Sequence, residues 1–300
     1  MNCQVCNGPM RPLFVKHLYW ICGCVQCGHR SADLRNPSGH VERVYDDEYF
    51  EGGGAGYSDY LAEKEILIDH GRRYGKLLQK HMPAGAVFDV GAAAGFVLQG
   101  MVDTGWKGRG IEPNRRMSEH ARAHLNLRVD TGSLEIFHTE ERFDLVIMIQ
   151  VVAHFMDVRK AFEVSSEITR PGGFWLIETW NRKSWTARVF GKHWHEYSPP
   201  SVVHWFTPGT LRTLARQFGF KEVAAGRPSK WLNGAHALSL LQYKLGGSLA
   251  GRLLRRADKL IPQDIPLPYL ADDLFWMLFQ KQDGPRPVPP PPPKTHPAGG

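Results

Sequence analysis

The sequence predicts an α/β protein: a buried parallel sheet with helices on both faces, behind a small N-terminal module stapled by metal. Three observations predict it. Short runs that are apolar throughout alternate with helical stretches between residues 86 and 179. One of these runs, "VFDV", closes on an acid and a valine and enters a loop of small residues, Gly91-Ala92-Ala93-Ala94-Gly95. All five cysteines fall within the first 27 residues.

The cysteines define the first module. Cys3-x2-Cys6 and Cys24-x2-Cys27 are 17 residues apart, the two-knuckle spacing of a structural zinc site. Each Cys-x2-Cys turn sets two thiolates on one side of a tight loop, and two such turns complete a tetrahedron of soft ligands. Gly8 and Gly28 follow the knuckles, where a tight turn favours a residue without a Cβ. Between them "PLFVKHLYWICG" reads as strand, the layout of a zinc ribbon over residues 1–42. Disulfides are the alternative, and an N-terminus without an apolar export segment argues against them. Cys22 is a spare thiol that could replace Cys24 only with a Cys-x4-Cys arm; His17 and His29 are substitute ligands or bystanders. Four thiolates with no open position make the expected zinc structural. So small a module has too little core to fold without a staple.

The rest of the chain follows in order. Residues 43–82 are a glycine- and tyrosine-rich connector, "DDEYFEGGGAGYSDY", and a helix over 60–82 that Pro83 stops. Strands are expected at 86–90, 108–112, within "LRVDTG", at 143–149 and at 172–179, with helices at 95–104, 114–124 and 157–169 between them. "TPGTLRTLARQFGF" reads as a helix and "FKEVAAG" as a sixth strand, closing a core unit over 83–226. Residues 227–271 form an insertion, helical over 229–260, that serves as a lid. Its stretch 248–260 alternates leucines with Arg252, Arg255, Arg256 and Lys259, so contact with a membrane surface or an anionic substrate is the lesser option. A last strand lies within 272–283. Residues 284–300, with five consecutive prolines, should be extended or disordered.

The bulk numbers bound the function. Three hundred residues at 42% hydrophobic bury a full core. No run approaches the ~18–20 apolar residues of a membrane span, and the cytoplasm is the expected location. A net charge of +7 fits either an anionic partner or a solubilising surface.

In open α/β sheets ligands bind beyond the carboxyl ends of the strands, where the 91–95 loop lies. Glu112 ends the second strand. A carboxylate there accepts both hydrogen bonds of a ribose diol. No Lys-Ser or Lys-Thr phosphate loop is present, and Gly-x-Ala-x-Gly fits the dinucleotide fingerprint of a Rossmann dehydrogenase poorly. "VFDVGAAAGF", "GIEPN", "FDLVIMIQVVAHFMDVRKAF" and "RPGGFWLIET", in this order over 84–180, resemble the class I S-adenosylmethionine (SAM)-dependent methyltransferases. The resemblance implies a seven-stranded Rossmann-like sheet that ends in an antiparallel pair. It implies that Asp89, Gly91, Ala93 and Gly95 shape the site for the methionine part of SAM and that Glu112 holds the ribose. Ser133 and Leu134 would border the adenine, and Gln150 would lie near the methyl group. Ala93 and Ser133 depart from the family pattern, which often has a glycine and an acid there; Asp130 is positioned to compensate for the second. The ribbon, the "YDDEYFEGG" connector and "VVHWFTPGTLRTLARQFGF" resemble a bacterial subgroup acting on sugars, polyketides or other specialised metabolites.

Methyl transfer to a hydroxyl needs a base for its proton. His154, His195 and His204 are the candidates, the last two in a stretch rich in Trp and Tyr that suits a partly apolar acceptor. The expected function is SAM-dependent methylation of O or C on a small molecule. The alternative is a ribosomal or transfer RNA methyltransferase docked by the ribbon, although Arg11, Lys16, Arg30, Arg35 and Arg43 are scattered. A scaffold that has lost its chemistry is the non-enzymatic option.

Overall fold

The computed structural model describes residues 2–34, 40–51, 59–229, 231–233, 266–269 and 271–283. The ribbon hairpin comes first. Strands β1 (Met10–Lys16) and β2 (Tyr19–Cys24) pair antiparallel. What reads as one strand between the knuckles is two, because His17 and Leu18 adopt positive φ (46° and 68°) and reverse the chain. β3 (Arg30–Ala32) pairs with β2. The connector holds two short helices, α1 (His40–Val44) and α2 (Asp47–Glu51); residues 52–58 lie outside the described ones. After a one-turn helix, α3 (Lys64–Leu78) buries Ile68, Tyr74 and Leu78 and ends before Pro83.

Strands and helices then alternate: β4 (Ala86–Val90), α4 (Phe96–Val102), β5 (Lys107–Glu112), α5 (Arg115–Leu125), β6 (Arg128–Thr131), β7 (Phe143–Ile149), α6 (Val158–Ile168) and β8 (Thr169–Trp180). After α7 (Trp185–Phe190) come β9 (His204–Trp205), α8 (Pro208–Gln217), β10 (Phe220–Gly226), β11 (Trp231–Asn233), β12 (Pro266–Pro268) and β13 (Leu274–Lys281). The main sheet has seven strands in the order β10-β13-β8-β7-β4-β5-β6, and only β13 runs antiparallel to its neighbours.

Side-chain alternation explains why both faces are covered. Phe88, Val90, Val146, Met148, Trp175 and Ile177 pack with α6 and α8. Val87, Leu145, Ile147, Leu176 and Leu278 pack with α3, α4 and α5. Neighbouring residues point to opposite faces of a strand, so an all-apolar strand must be covered twice.

Two features differ from the sequence expectation. β8 begins at Thr169, not 172; Thr169 pairs with Phe143 and the register then slips around Gly172, whose φ is +69°. Trp231–Asn233 is a strand paired with Pro266–Pro268, not the start of a helix. The remainder of the expected helical insertion, including the basic stretch 248–260, and the proline tail 284–300 lie outside the described residues. The ribbon also draws a strand from the far half of the chain: β9 pairs with β3 and completes a sheet ordered β1-β2-β3-β9. Cys3, Val5 and Cys24 lie in one apolar cluster with Phe155, Phe162, Phe206 and Leu211. No helix among the described residues is long and apolar enough to cross a membrane.

Candidate active site and cysteine centre

A cavity opens at the carboxyl ends of β4, β5, β6 and β7. Among its walls are Asp89, Gly91, Ala93, Glu112, Ser133, Leu134, Gln150 and His154, all singled out in the sequence. The β4–α4 turn forms its floor. The amides of Gly91 and Ala92 donate to the Ile111 carbonyl at 2.9 and 3.0 Å, which folds the loop over β5. Gly91 has φ +70°, and a Cβ there would lie 2.8 Å from Val151 Cγ2. Gly95 does not line the cavity. At φ +83° it caps α4, where a Cβ would meet Leu127 and Ala121 at 2.8 and 3.0 Å. Ala93 and Gln150 take φ +46° and +56°, a backbone region that costs a side-chain-bearing residue on the order of 1 kcal/mol or more. Two such residues face the same cavity, as strained positions at functional sites do.

The acids set the electrostatics. Glu112 is buried and accepts from the amides of Ala93 (2.9 Å) and Asn114 (2.8 Å), one on each oxygen. Each carboxylate oxygen carries two lone-pair sites, so each retains capacity for a further donor. Burial raises the Glu112 pKa to about 7 against the pull of these two amides. Asp89 is also buried; burial first, and the Glu112 charge second, hold its pKa well above the carboxylate range. Its Oδ2 has no hydrogen-bond partner. A buried carboxylate oxygen without a donor costs energy unless a ligand supplies one. A ligand bearing an ammonium and a vicinal diol, as SAM does, fits this pair.

Glu135 lines the same cavity, and among the described residues no Lys or Arg does. The chain is basic overall, yet three acids, Asp89, Glu112 and Glu135, line this cavity.

Gln150 is fixed from behind. Its amide nitrogen donates to Glu178 Oε1 at 2.6 Å, and its backbone amide to the Glu178 carbonyl at 2.8 Å. The other Glu178 oxygen receives Tyr74 Oη and His70 Nε2, the latter at 3.0 Å. A fully buried carboxylate is tolerable only with donors of this number.

The three histidines separate. His154 lines the cavity and its Nδ1 lies 2.8 Å from the Ser201 carbonyl. A carbonyl only accepts, so this contact assigns the hydrogen to Nδ1 and the lone pair to Nε2; Tyr45 Oη also approaches Nδ1 at 3.0 Å, and the Gln150 backbone is a second hydrogen-bond partner of the ring. Burial lowers its pKa, so the ring is neutral at pH 7. His195 and His204 are not among the cavity walls. His195 pairs with Glu196 at 2.8 Å. His204 sits on β9, 3.1 Å from His29, and burial lowers its pKa to about 4.

Sequence reasoning missed the roof. Tyr45, Tyr49, Phe50 and Tyr60 of the connector close the cavity, and Asn114 ties them down by donating to the Tyr45 carbonyl and Asp47, each at 3.1 Å. Tyr60 stacks on Phe96 with rings 7° from parallel. The available signal was the spacing Tyr45-x3-Tyr49-Phe50, which puts aromatics on one side of a turn.

At the other end of the molecule the sulfurs of Cys3, Cys6, Cys24 and Cys27 all lie within 4.8 Å of one another. The pairs Cys3–Cys27 and Cys6–Cys24 are 3.6 and 3.4 Å apart. A tetrahedral zinc with 2.3 Å bonds needs sulfurs about 3.8 Å apart. The amides of Cys27 and His29 point at Cys24 Sγ and Cys27 Sγ, both at 3.5 Å. Cys22 is not part of the group.

Residues 63–225 match the family described as "Methyltransferase domain". The ubiquinone biosynthesis O-methyltransferase of Rhodopseudomonas palustris is 29% identical over 131 residues, 41% of this chain and 49% of that protein. The enzyme of that name from Cereibacter sphaeroides is 28% identical over 149 residues, 46% and 60% of the two chains. The chain thus spans about half the length of the curated relatives it matches. Among solved structures, the YcgJ protein of Bacillus subtilis superposes with TM-score 0.52 at 16% identity, covering 72% of this chain and all of that one. A chain from the Haloferax volcanii complex of the Trm112 methyltransferase activator with a methyltransferase gives 0.51 at 15%, covering 73% and 92%. These two show the fold. With its family match running over more than half its length, the chain belongs to the methyltransferase-domain family, and its fold is that of the class I SAM-dependent methyltransferases.

Proposed function

We propose that this protein transfers a methyl group from SAM to a hydroxyl of a small-molecule acceptor, a sugar or other specialised metabolite, and carries a structural zinc in its ribbon. The observation that carries the reading is the unpartnered Oδ2 of Asp89, buried beside Glu112 in a cavity that no Lys or Arg among the described residues lines. Oxygen is favoured over carbon because the curated relatives are named O-methyltransferases.

When bound, SAM supplies a methyl group on a sulfonium leaving group. Asp89 would take the ammonium, Glu112 the ribose hydroxyls, and Ser133 and Leu134 would flank the adenine. Gln150, fixed by Glu178, borders the methionine part. The tyrosine roof keeps water from the transfer site. His154 Nε2 would accept the proton that the acceptor's hydroxyl gives up on methylation. Cys3, Cys6, Cys24 and Cys27 would hold the zinc.

Affinity for SAM should depend on pH. Glu112 accepts from the diol only as a carboxylate, so SAM binding should weaken as pH falls below about 7, by up to tenfold per unit. The free protein should show the opposite trend. A carboxyl whose folded pKa is raised binds more protons folded than unfolded, so this contribution falls as pH rises from 4.5 to about 7. Calorimetry and thermal melts between pH 5 and 8.5 check both; a flat binding profile would remove Glu112 from the diol.

The function is tested with methyl-labelled SAM, the purified protein and three lysate fractions: small molecules, RNA and membranes. Label in small molecules or extracted lipids supports the reading. Label in RNA overturns it, and so does failure to bind SAM.

A further inference from the structure

We propose that the ribbon is a two-jawed clamp that positions His154. This rests on the reading of His154 as the group facing the acceptor. One jaw is the first knuckle. Gln4, between Cys3 and Cys6, donates from Nε2 to the Met156 carbonyl at 3.1 Å and accepts the Val158 amide at 2.8 Å. The other jaw is the second knuckle, which runs directly into β3. The Ala32 amide donates to the Val203 carbonyl at 2.9 Å, and Ser31 and Arg30 pair with His204 and Trp205. His29 stacks on His204 with ring centres 5.3 Å apart and lies 4.8 Å from Phe206.

The segment gripped by β3 then grips the histidine. The amides of Val203 and His204 both donate to the Ala153 carbonyl, at 2.9 and 3.0 Å. The Ser201 carbonyl takes His154 Nδ1 at 2.8 Å and Tyr45 Oη at 2.7 Å. Residues 153–158 are therefore held from both sides by hydrogen bonds that trace back to the two knuckles within a few residues. A tetrahedral metal would fix the knuckles relative to each other, and with them the two sides of the His154 loop. The other half of the cavity meets this loop at Glu135, whose Oε1 accepts the Met156 amide at 3.2 Å. Asp89, Glu112 and Ser133 stand on β4–β6 and their loops, and no hydrogen bond among the described residues joins them to the ribbon.

This arrangement separates two effects that a merely stabilising zinc would move together. Loosening the clamp should misplace the His154 ring and leave the cofactor side intact. A misplacement near 1 Å at a reacting group costs about 10²-fold in rate.

The test uses the full-length zinc-loaded protein, the same protein after chelation, and two variants that keep all four thiols. Gln4→Ala opens one jaw. Gln217→Ala is the control: its side chain also holds the ribbon, through the Val5 carbonyl at 2.6 Å, and accepts from Arg159 Nη1 at 2.8 Å, but makes no hydrogen bond to residues 153–158 among the described residues. The primary readout is the His154 imidazole Cε1–Hε1 cross-peak, assigned by its loss in His154→Asn. SAM affinity and, with an acceptor in hand, kcat are read alongside.

Chelation and Gln4→Ala should shift this cross-peak in the same direction, with SAM affinity within about twofold and kcat lowered about 10²-fold and about tenfold respectively. Added zinc should restore the chelated protein, and Gln217→Ala should leave the cross-peak in place. An unmoved cross-peak in Gln4→Ala overturns the clamp, as does an equal shift in Gln217→Ala. Should chelation unfold the chain, Gln4→Ala decides alone. Absence of transfer by the unmodified protein would count against the proposed function and leave the cross-peak result standing.

Discussion

Glu112→Ala should abolish measurable SAM binding at micromolar protein. Two hydrogen bonds from a diol to a buried carboxylate are worth about 1.5–3 kcal/mol each, so their loss weakens binding by about 10²–10⁴-fold. The same substitution has a second cost. The amides of Ala93 and Asn114 lose their buried acceptor, at about 1–3 kcal/mol each, and Ala93 already occupies the left-handed region at φ +46°. A fall in melting temperature is therefore expected as well, and on its own the result would not separate a binding residue from a structural one.

Asp89→Asn makes the separation. Its Oδ2 satisfies no donor in the free protein, and burial and the Glu112 charge already favour its uncharged form, so an uncharged isostere should leave the fold as stable or more stable. It should nonetheless weaken SAM binding, because an amide cannot neutralise an ammonium. Stability up and affinity down in one variant is the signature of a carboxylate retained for its ligand. Unchanged affinity in both variants, measured by calorimetry, would place the cofactor elsewhere.

What could be read from the sequence was local. Asp89, the glycine loop and Glu112 lie on two neighbouring parallel strands, so the order of apolar runs and turns carries their arrangement. The four cysteines are likewise local, since the Cys-x2-Cys spacing alone turns two thiols together. What could not be read depends on pairs far apart in the chain. Nothing near His204 marks it as the ribbon's fourth strand; the partner is Ser31, brought there by tertiary packing. The sequence therefore placed His204 with the chemistry, and the structure places it in the seam between ribbon and core. Glu178 behind Gln150 receives His70 from 108 residues away. The tyrosine roof depends on Asn114 reaching the connector across the β5–α5 turn. Asn233-Gly234 is a turn signal that cuts residues 231–233 off from the apolar spacing after them, but their partner, 266–268, lies more than thirty residues on.

His154→Asn is expected to lower kcat by about 10²–10⁴-fold, the range of a lost general base. Asparagine is chosen over alanine for a structural reason. Its Nδ2 can take over the donation that His154 Nδ1 makes to the Ser201 carbonyl, so that acceptor and the Tyr45 hydroxyl sharing it keep a partner. What asparagine lacks is the Nε2 lone pair. SAM affinity should stay within about twofold, because Asp89 and Glu112 are untouched, and the melting temperature should change little. The size of the defect should also depend on pH. His154 is neutral at pH 7 because burial lowers its pKa, so the unmodified protein holds a competent base at neutral pH. The variant has none, and its rate should climb with pH as the acceptor hydroxyl loses its proton unaided, near pH 10 for a phenol-like group. The ratio of the two rates should therefore shrink steadily from pH 7 to pH 10. A constant ratio would mean that His154 orients the acceptor without taking its proton. Full activity in the variant would return His154 to the role of a structural link between Ser201 and Tyr45, and the base would then be sought in the His195–Glu196 pair.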